Sequence, residues 1–261
     1  MLIHSVIIIL QEVFEAALIG SVLLALCRTL TISRGFFIPA LFVAGLAASL
    51  YAINIVSIMG WFDGVGQEVL NSVLYGLIFI AIVSLFMSIG QARSSYAVSL
   101  SMSLCLIAAV VREGSEIIIY LQGFWGDSAL IQSVVVGGFI GAGIGFSIGV
   151  FFYYLIVSLS VLNSLRICVG ILILISAGMV SQTIQFLMQA DLLISQAPLW
   201  DSSWWVTESS VVGAILSALI GYESTPTPIQ VTAYIISLLI SSSLALRSIR
   251  VYLKKSSIEH T

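Results

Sequence analysis

Along most of the chain apolar residues run on almost without interruption, and polar residues gather in short breaks between the runs. Seven runs are long enough to cross roughly 30 Å of hydrocarbon as helices, at about 20 residues each. They predict helices over 3–26, 36–58, 69–90, 101–122, 130–157, 167–187 and 229–248. The largest break, from about 188 to 228, predicts an external loop. A chain with 60% hydrophobic and 8% charged residues lies outside the range of soluble domains. The expected fold class is therefore an all-α polytopic membrane protein with seven transmembrane helices.

The basic residues orient it. Arg28, Arg34, Arg93, Arg166, Arg247, Arg250, Lys254 and Lys255 follow odd-numbered runs, so all fall on one side. By the positive-inside rule that side is cytoplasmic, which leaves the N-terminus outside and the C-terminus in the cytoplasm. Asp63, Glu68, Asp127, Asp191, Asp201, Glu208 and Glu223 fall on the other side and would concentrate cations there. Met1 to His4 lacks a basic leader, so the first run is expected to stay as a span. Cys27, Cys105 and Cys168 lack the close spacing of a zinc or redox motif and read as packing residues.

Against this background four carboxylates stand out: Glu12 and Glu15 in the first run, Glu113 and Glu116 in the fourth. Ionisable groups at bilayer depth are costly and mark ion pathways. Residues three apart share a helix face, so each pair can converge on one ion. Carboxylate oxygens are hard ligands suited to iron, manganese or magnesium. Helical rise puts Glu12 and Glu15 roughly 14 to 18 Å into the membrane. Burial and mutual repulsion would raise the pKa values of an empty site, and metal entry would then release protons. Arg112 stands four residues before Glu116 and is expected to be its charge partner.

The two pairs are 101 residues apart, and the same offset maps Ala40, Ala44 and Ala48 onto Gly141, Gly145 and Gly149. Ala52 and Gly137 extend these stripes of small residues, which let membrane helices approach closely. Two features in one register predict a 3+3 inverted repeat plus one additional helix. The expected organisation is a single membrane domain over 1–261: a first three-helix repeat over 1–90, a second, inverted one over 91–190, an external loop over 191–228, and the last helix with a basic cytoplasmic tail over 229–261.

Arg112-Glu113-Gly114-Ser115-Glu116 resembles the Arg-Glu-Gly-x-Glu signature of the oxidase-dependent iron permease family, which includes fungal high-affinity iron permeases and bacterial iron uptake permeases. That family carries the signature in its first and fourth of seven helices. Here the first copy reads Gln11-Glu12-Val13-Phe14-Glu15, with Gln11 for Arg and Val13 for Gly. Trp200-Asp201-Ser202-Ser203-Trp204 and Gly221-Tyr222-Glu223-Ser224-Thr225-Pro226-Thr227 resemble the family's segments before its last helix. The resemblance implies an iron permease of the cell membrane, with Glu12, Glu15, Glu113 and Glu116 as metal ligands and iron as transported substrate rather than cofactor. It also implies a separate oxidase or periplasmic iron-delivery partner, and no nucleic acid. Two alternatives are a transporter of manganese or lead on the same scaffold and a membrane-embedded metalloenzyme.

Overall fold

The computed structural model describes residues 1–90, 95–208 and 210–259. Arg93, the boundary expected at 91, and the side chains of Lys254 and Lys255 lie outside the described residues. The described chain is all-helical: α1 (Leu2–Thr29), α2 (Phe37–Ile53), α3 (Ile55–Met59), α4 (Gly66–Gly90), α5 (Ser95–Gln122), α6 (Ser128–Val157), α7 (Val161–Gln189), α8 (Val211–Ile220) and α9 (Pro228–Glu259), with a short 3-10 turn at Trp61–Gly64.

Five of these, α1, α4, α6, α7 and α9, are long and apolar enough to cross a membrane. Two of the seven predicted spans stand outside that set. The run 36–58 is broken at Asn54, whose side chain donates to the Leu50 carbonyl at 2.8 Å while its backbone leaves helical geometry. This leaves a 17-residue α2 followed by the five-residue α3. Helix α5 has 28 residues but carries Arg112, Glu113 and Glu116 in its second half.

The expected external loop is not a loop throughout. Between 191 and 228 the ten-residue apolar helix α8 packs on α7 and α1. Its start is capped by Ser210, whose Oγ accepts from Gly213 N at 3.0 Å. It ends at Gly221, with φ at 67° in the left-handed region, and that glycine lies directly on Gly178 of α7. A side chain on Gly221 would be strained twice, by the backbone angle and by the contact. Thr227 and Gln230 then cap α9 reciprocally: Thr227 N donates to Gln230 Oε1 at 2.8 Å, and Gln230 N to Thr227 Oγ1 at 3.4 Å. Pro228 follows in the first helical position, where its missing N–H costs nothing.

Packing follows the small residues. α6 lies along α1, and α2 along α5. A methyl added to Gly137, Gly145 or Gly149 of α6 would meet α1 at 2.6 Å (Leu2 O), 3.0 Å (Leu10 O) and 2.6 Å (Ala17 Cβ), and one added to Gly141 would meet Val6 O. Ala40, Ala44, Ala48 and Ala52 of α2 are all buried, and Gly114 of α5 faces Ala48. α4 and α7 pack on each other and on α9, and the main apolar core gathers where they meet α1 and α5. All three cysteines are free and buried, as packing residues would be. Ser248 of α9 donates to the Phe86 carbonyl of α4, and Ser241 pairs with Ser176 of α7 at 2.8 Å.

Candidate functional site

Glu12 and Glu15 come from the middle of α1, and Arg112, Glu113 and Glu116 from α5, which crosses it. The structure brings all five together. Arg112 Nη1 donates to Glu12 Oε2 at 2.9 Å and also to Glu113; Nη2 pairs with Glu116 Oε1 at 2.9 Å. The guanidinium therefore joins the two helices as well as pairing along its own. Glu15 lies within hydrogen-bonding reach of Glu113, and Glu12 of both Glu113 and Glu116. Two carboxyl groups can share a hydrogen bond when one of them holds a proton.

The cluster is shielded from solvent to different degrees. The Glu113 side chain is 2% exposed, Arg112 11%, Glu12 15% and Glu116 28%, so Glu116 is the most open of these four. Tyr75 of α4 places its ring face 5.0 Å from the Arg112 guanidinium carbon and stacks on Phe186 of α7 at 5.7 Å. Arg112 Nε is buried without a hydrogen-bond partner. Among the described residues no group of three or more His, Cys, Asp or Glu side chains is set to hold a metal ion as it stands. The physical reason is visible in the contacts: the guanidinium already takes up one oxygen from each of three carboxylates.

A cavity of about 200 Å³ starts at Gln11, Glu12, Glu15, Tyr75 and Arg112 and runs past Gln182 and Gln185 of α7 to Glu208, Tyr222 and Glu223. Its far end is built by the segment around α8. There Glu208 Oε1 accepts from Ser224 N and Oγ, both at 2.6 Å, and Glu223 Oε1 accepts from Gln185 Nε2 at 3.1 Å. Burial, helped by the charge of Glu208, pushes the Glu223 carboxyl up to about 7. On the other side of the cluster lies a second cavity of about 490 Å³, whose polar lining is confined largely to Glu12, Glu113, Ser21 and two tyrosines, with Ala17, Leu41, Leu106 and Val150 among its apolar walls. Glu12 thus sits between a polar cavity and an apolar one, with Glu15 on the polar side and Glu113 on the apolar side.

The Arg112–Glu116 pair expected from the sequence is present. The sequence reading missed the Arg112–Glu12 bridge, Tyr75 and the glutamines of the polar cavity, and named Glu208 and Glu223 only among the external acidic residues. A Gln182-x-x-Gln185 spacing late in an apolar run was the available signal for the cavity wall. Asp201, in the tryptophan-rich segment, stays away from the cluster; Ser203 donates to it from N at 2.9 Å and from Oγ at 2.5 Å, which holds its carboxyl below the usual range. Trp204 and Trp205 are largely exposed, as interfacial tryptophans are. Pairing of Leu199 N with Pro226 O at 2.8 Å and of Ser202 N with Ser224 O at 2.9 Å ties that segment to the start of α9.

Comparison with known proteins returns no match among curated proteins or among solved structures. A family model does match, over residues 2–258, nearly the whole chain. The chain belongs to the Iron permease FTR1 family, a family of multi-pass membrane transporters rather than enzymes.

Proposed function

We propose that this permease carries iron inward across the cytoplasmic membrane through a midplane site made by Glu12, Glu15, Glu113 and Glu116. The observation that carries the reading is the meeting of two Glu-x-x-Glu pairs from helices about a hundred residues apart, beside a polar cavity that Glu12, Glu15 and Arg112 line. Iron enters past Glu208 and Glu223, whose carboxylates draw cations to the mouth, and passes the amides of Gln182 and Gln185. It then exchanges its water for carboxylate oxygens. The apolar cavity beyond the cluster keeps water from running through, so release inward requires the helices to move.

The reading includes seven crossings, with α2 and α5 completing the set, the N-terminus outside, and a 3+3 inverted repeat. Exchanging α1 with α5, α2 with α6 and α4 with α7 turns the α1–α6 contact into the α5–α2 contact and leaves α1–α5 and α4–α7 unchanged. That reciprocity supports two equivalent halves, 1–90 and 91–190, which rock about the shared carboxylates. Iron reaches the outer face from a separate oxidase or delivery protein. X-ray absorption at the iron edge of loaded, purified protein tests the ligand set. An all-oxygen shell that changes in Glu12→Gln and Glu113→Gln supports the site. A shell indifferent to both, or displacement of iron by equimolar manganese or lead, refutes the site or the selectivity respectively.

A further inference from the structure

Arg112 is the single basic residue that the sequence sets deep inside a predicted span, and the position equivalent to it by the 101-residue offset is Gln11. One cation therefore serves four carboxylates. Its guanidinium forks across both helices, with Glu12 on one and Glu113 and Glu116 on the other. It holds there three of the carboxylates that the proposed site requires, and no metal-holding group remains among the described residues.

This pose is not a fully satisfied one. Nε is buried without a partner, a donor left unpaired at a cost. Tyr75, whose ring already faces the guanidinium at 5.0 Å in this pose, lines the polar cavity beside it and can keep the cation when the carboxylates let go. A carrier that returns without its cargo must otherwise take a bare cluster of carboxylates through the low-dielectric interior, which membranes penalise.

We propose that Arg112 is a tethered substitute for the metal: it fills the carboxylate site when iron is absent, gives up its carboxylate contacts as iron enters while keeping its place against Tyr75, and so lets the empty carrier reorient. The inference rests on the four-glutamate reading above. It makes Arg112 a competitor of iron as well as a partner of the carboxylates. By linkage, whatever the arginine gains from the empty site is subtracted from iron affinity.

Two variants, Arg112→Gln and Arg112→Lys, test it in proteoliposomes supplied from outside with ferric citrate or with anaerobic ferrous iron. Equilibrium binding of radioiron is measured beside two fluxes: net uptake into iron-free vesicles, and exchange into vesicles already holding iron. Arg112→Gln is expected to bind iron at least about five-fold tighter, the lower end of typical coupling between competing ligands. Its ratio of exchange to net uptake should rise roughly ten-fold, because return without cargo becomes the slow step. A lysine ammonium cannot fork over three carboxylates, so Arg112→Lys should also bind iron more tightly while keeping part of the net uptake.

Iron binding unchanged or weakened in Arg112→Gln, or exchange and net uptake falling in parallel, overturns the proposal, since a residue that merely braces the helices predicts both. If Arg112→Gln does not assemble, Arg112→Lys decides: tighter binding supports the substitute cation, and unchanged or weaker binding overturns it. Wild-type protein that neither binds nor exchanges iron refutes the carboxylate site itself, a failure distinct from that of the arginine.

Discussion

Replacing Gly149 with alanine perturbs the site without touching it. The added methyl would lie 2.6 Å from Ala17 Cβ and 3.3 Å from the Ala17 carbonyl, on the far side of a helix contact that has no flexible side chain to yield. Ordinary carbon contacts begin near ~3.5 Å, so α1 must move away from α6 by about 1 Å. Ala17 follows Glu15 by two residues and Glu12 by five, so the shift is passed to the 2.9 Å bridge between Glu12 and Arg112. Overpacking of this kind costs about 1–3 kcal/mol. At about 2–4 °C per kcal/mol, melting should fall by roughly 2–12 °C. Iron uptake should fall roughly ten-fold, because a displacement of that size spoils a converging ligand set. Gly143→Ala is the control, since a methyl there meets nothing within 4 Å. Thermal unfolding in detergent and uptake in vesicles read the pair. If Gly149→Ala melts and transports like Gly143→Ala, the claim that the α6 stripe sets the position of the α1 carboxylates is wrong.

Tyr75→Leu should destabilise the protein by about 1–3 kcal/mol more than Tyr75→Phe, because it removes the ring facing Arg112; unequal melting shifts of the opposite order would contradict this. Glu223 titrates near 7 because it is buried beside Glu208, so it is neutral below that pH and negative above it. Apparent iron affinity should therefore improve as pH rises through about 7, and Glu223→Gln should flatten the rise; the same raised pKa weakens docking of the α8 segment as pH climbs from the ordinary carboxylate range to about 7, where a released carboxyl would ionise while the buried one stays protonated. Gly178→Ala should loosen α8 by closing the space that Gly221 fills, seen as faster proteolysis between 191 and 228; protection equal to wild type would show that this glycine contact does not hold the segment.

Uninterrupted apolar runs made the long helices legible, because a 20-residue stretch without charges has few other uses. The small-residue stripes were equally readable, and Gly137, Gly145 and Gly149 lie against α1 as such stripes predict. Boundaries were less so. Helix α5 begins at Ser95, six residues before the predicted 101, because serines that depress hydropathy satisfy themselves on the preceding turn, as Ser101 and Ser103 do. Helix α8 was missed because ten apolar residues are too few to register as a span, although Ser210 and Gly221 frame it as cap and stop. Within the site, residue types and spacing disclosed the carboxylates and the Arg112–Glu116 pair, which are local. The bridge to Glu12 and the ring of Tyr75 depend on how α1, α4 and α5 cross, and no local pattern encodes that.

The central claim is that four glutamates from two helices form the path for iron. Radioiron uptake into sealed proteoliposomes tests it most directly, comparing wild type with Glu12→Gln, Glu15→Gln, Glu113→Gln and Glu116→Gln after correct insertion of each has been verified. The account predicts iron flux in wild type that withstands manganese, zinc and lead and is lost in all four variants. Flux indifferent to the substitutions would contradict it.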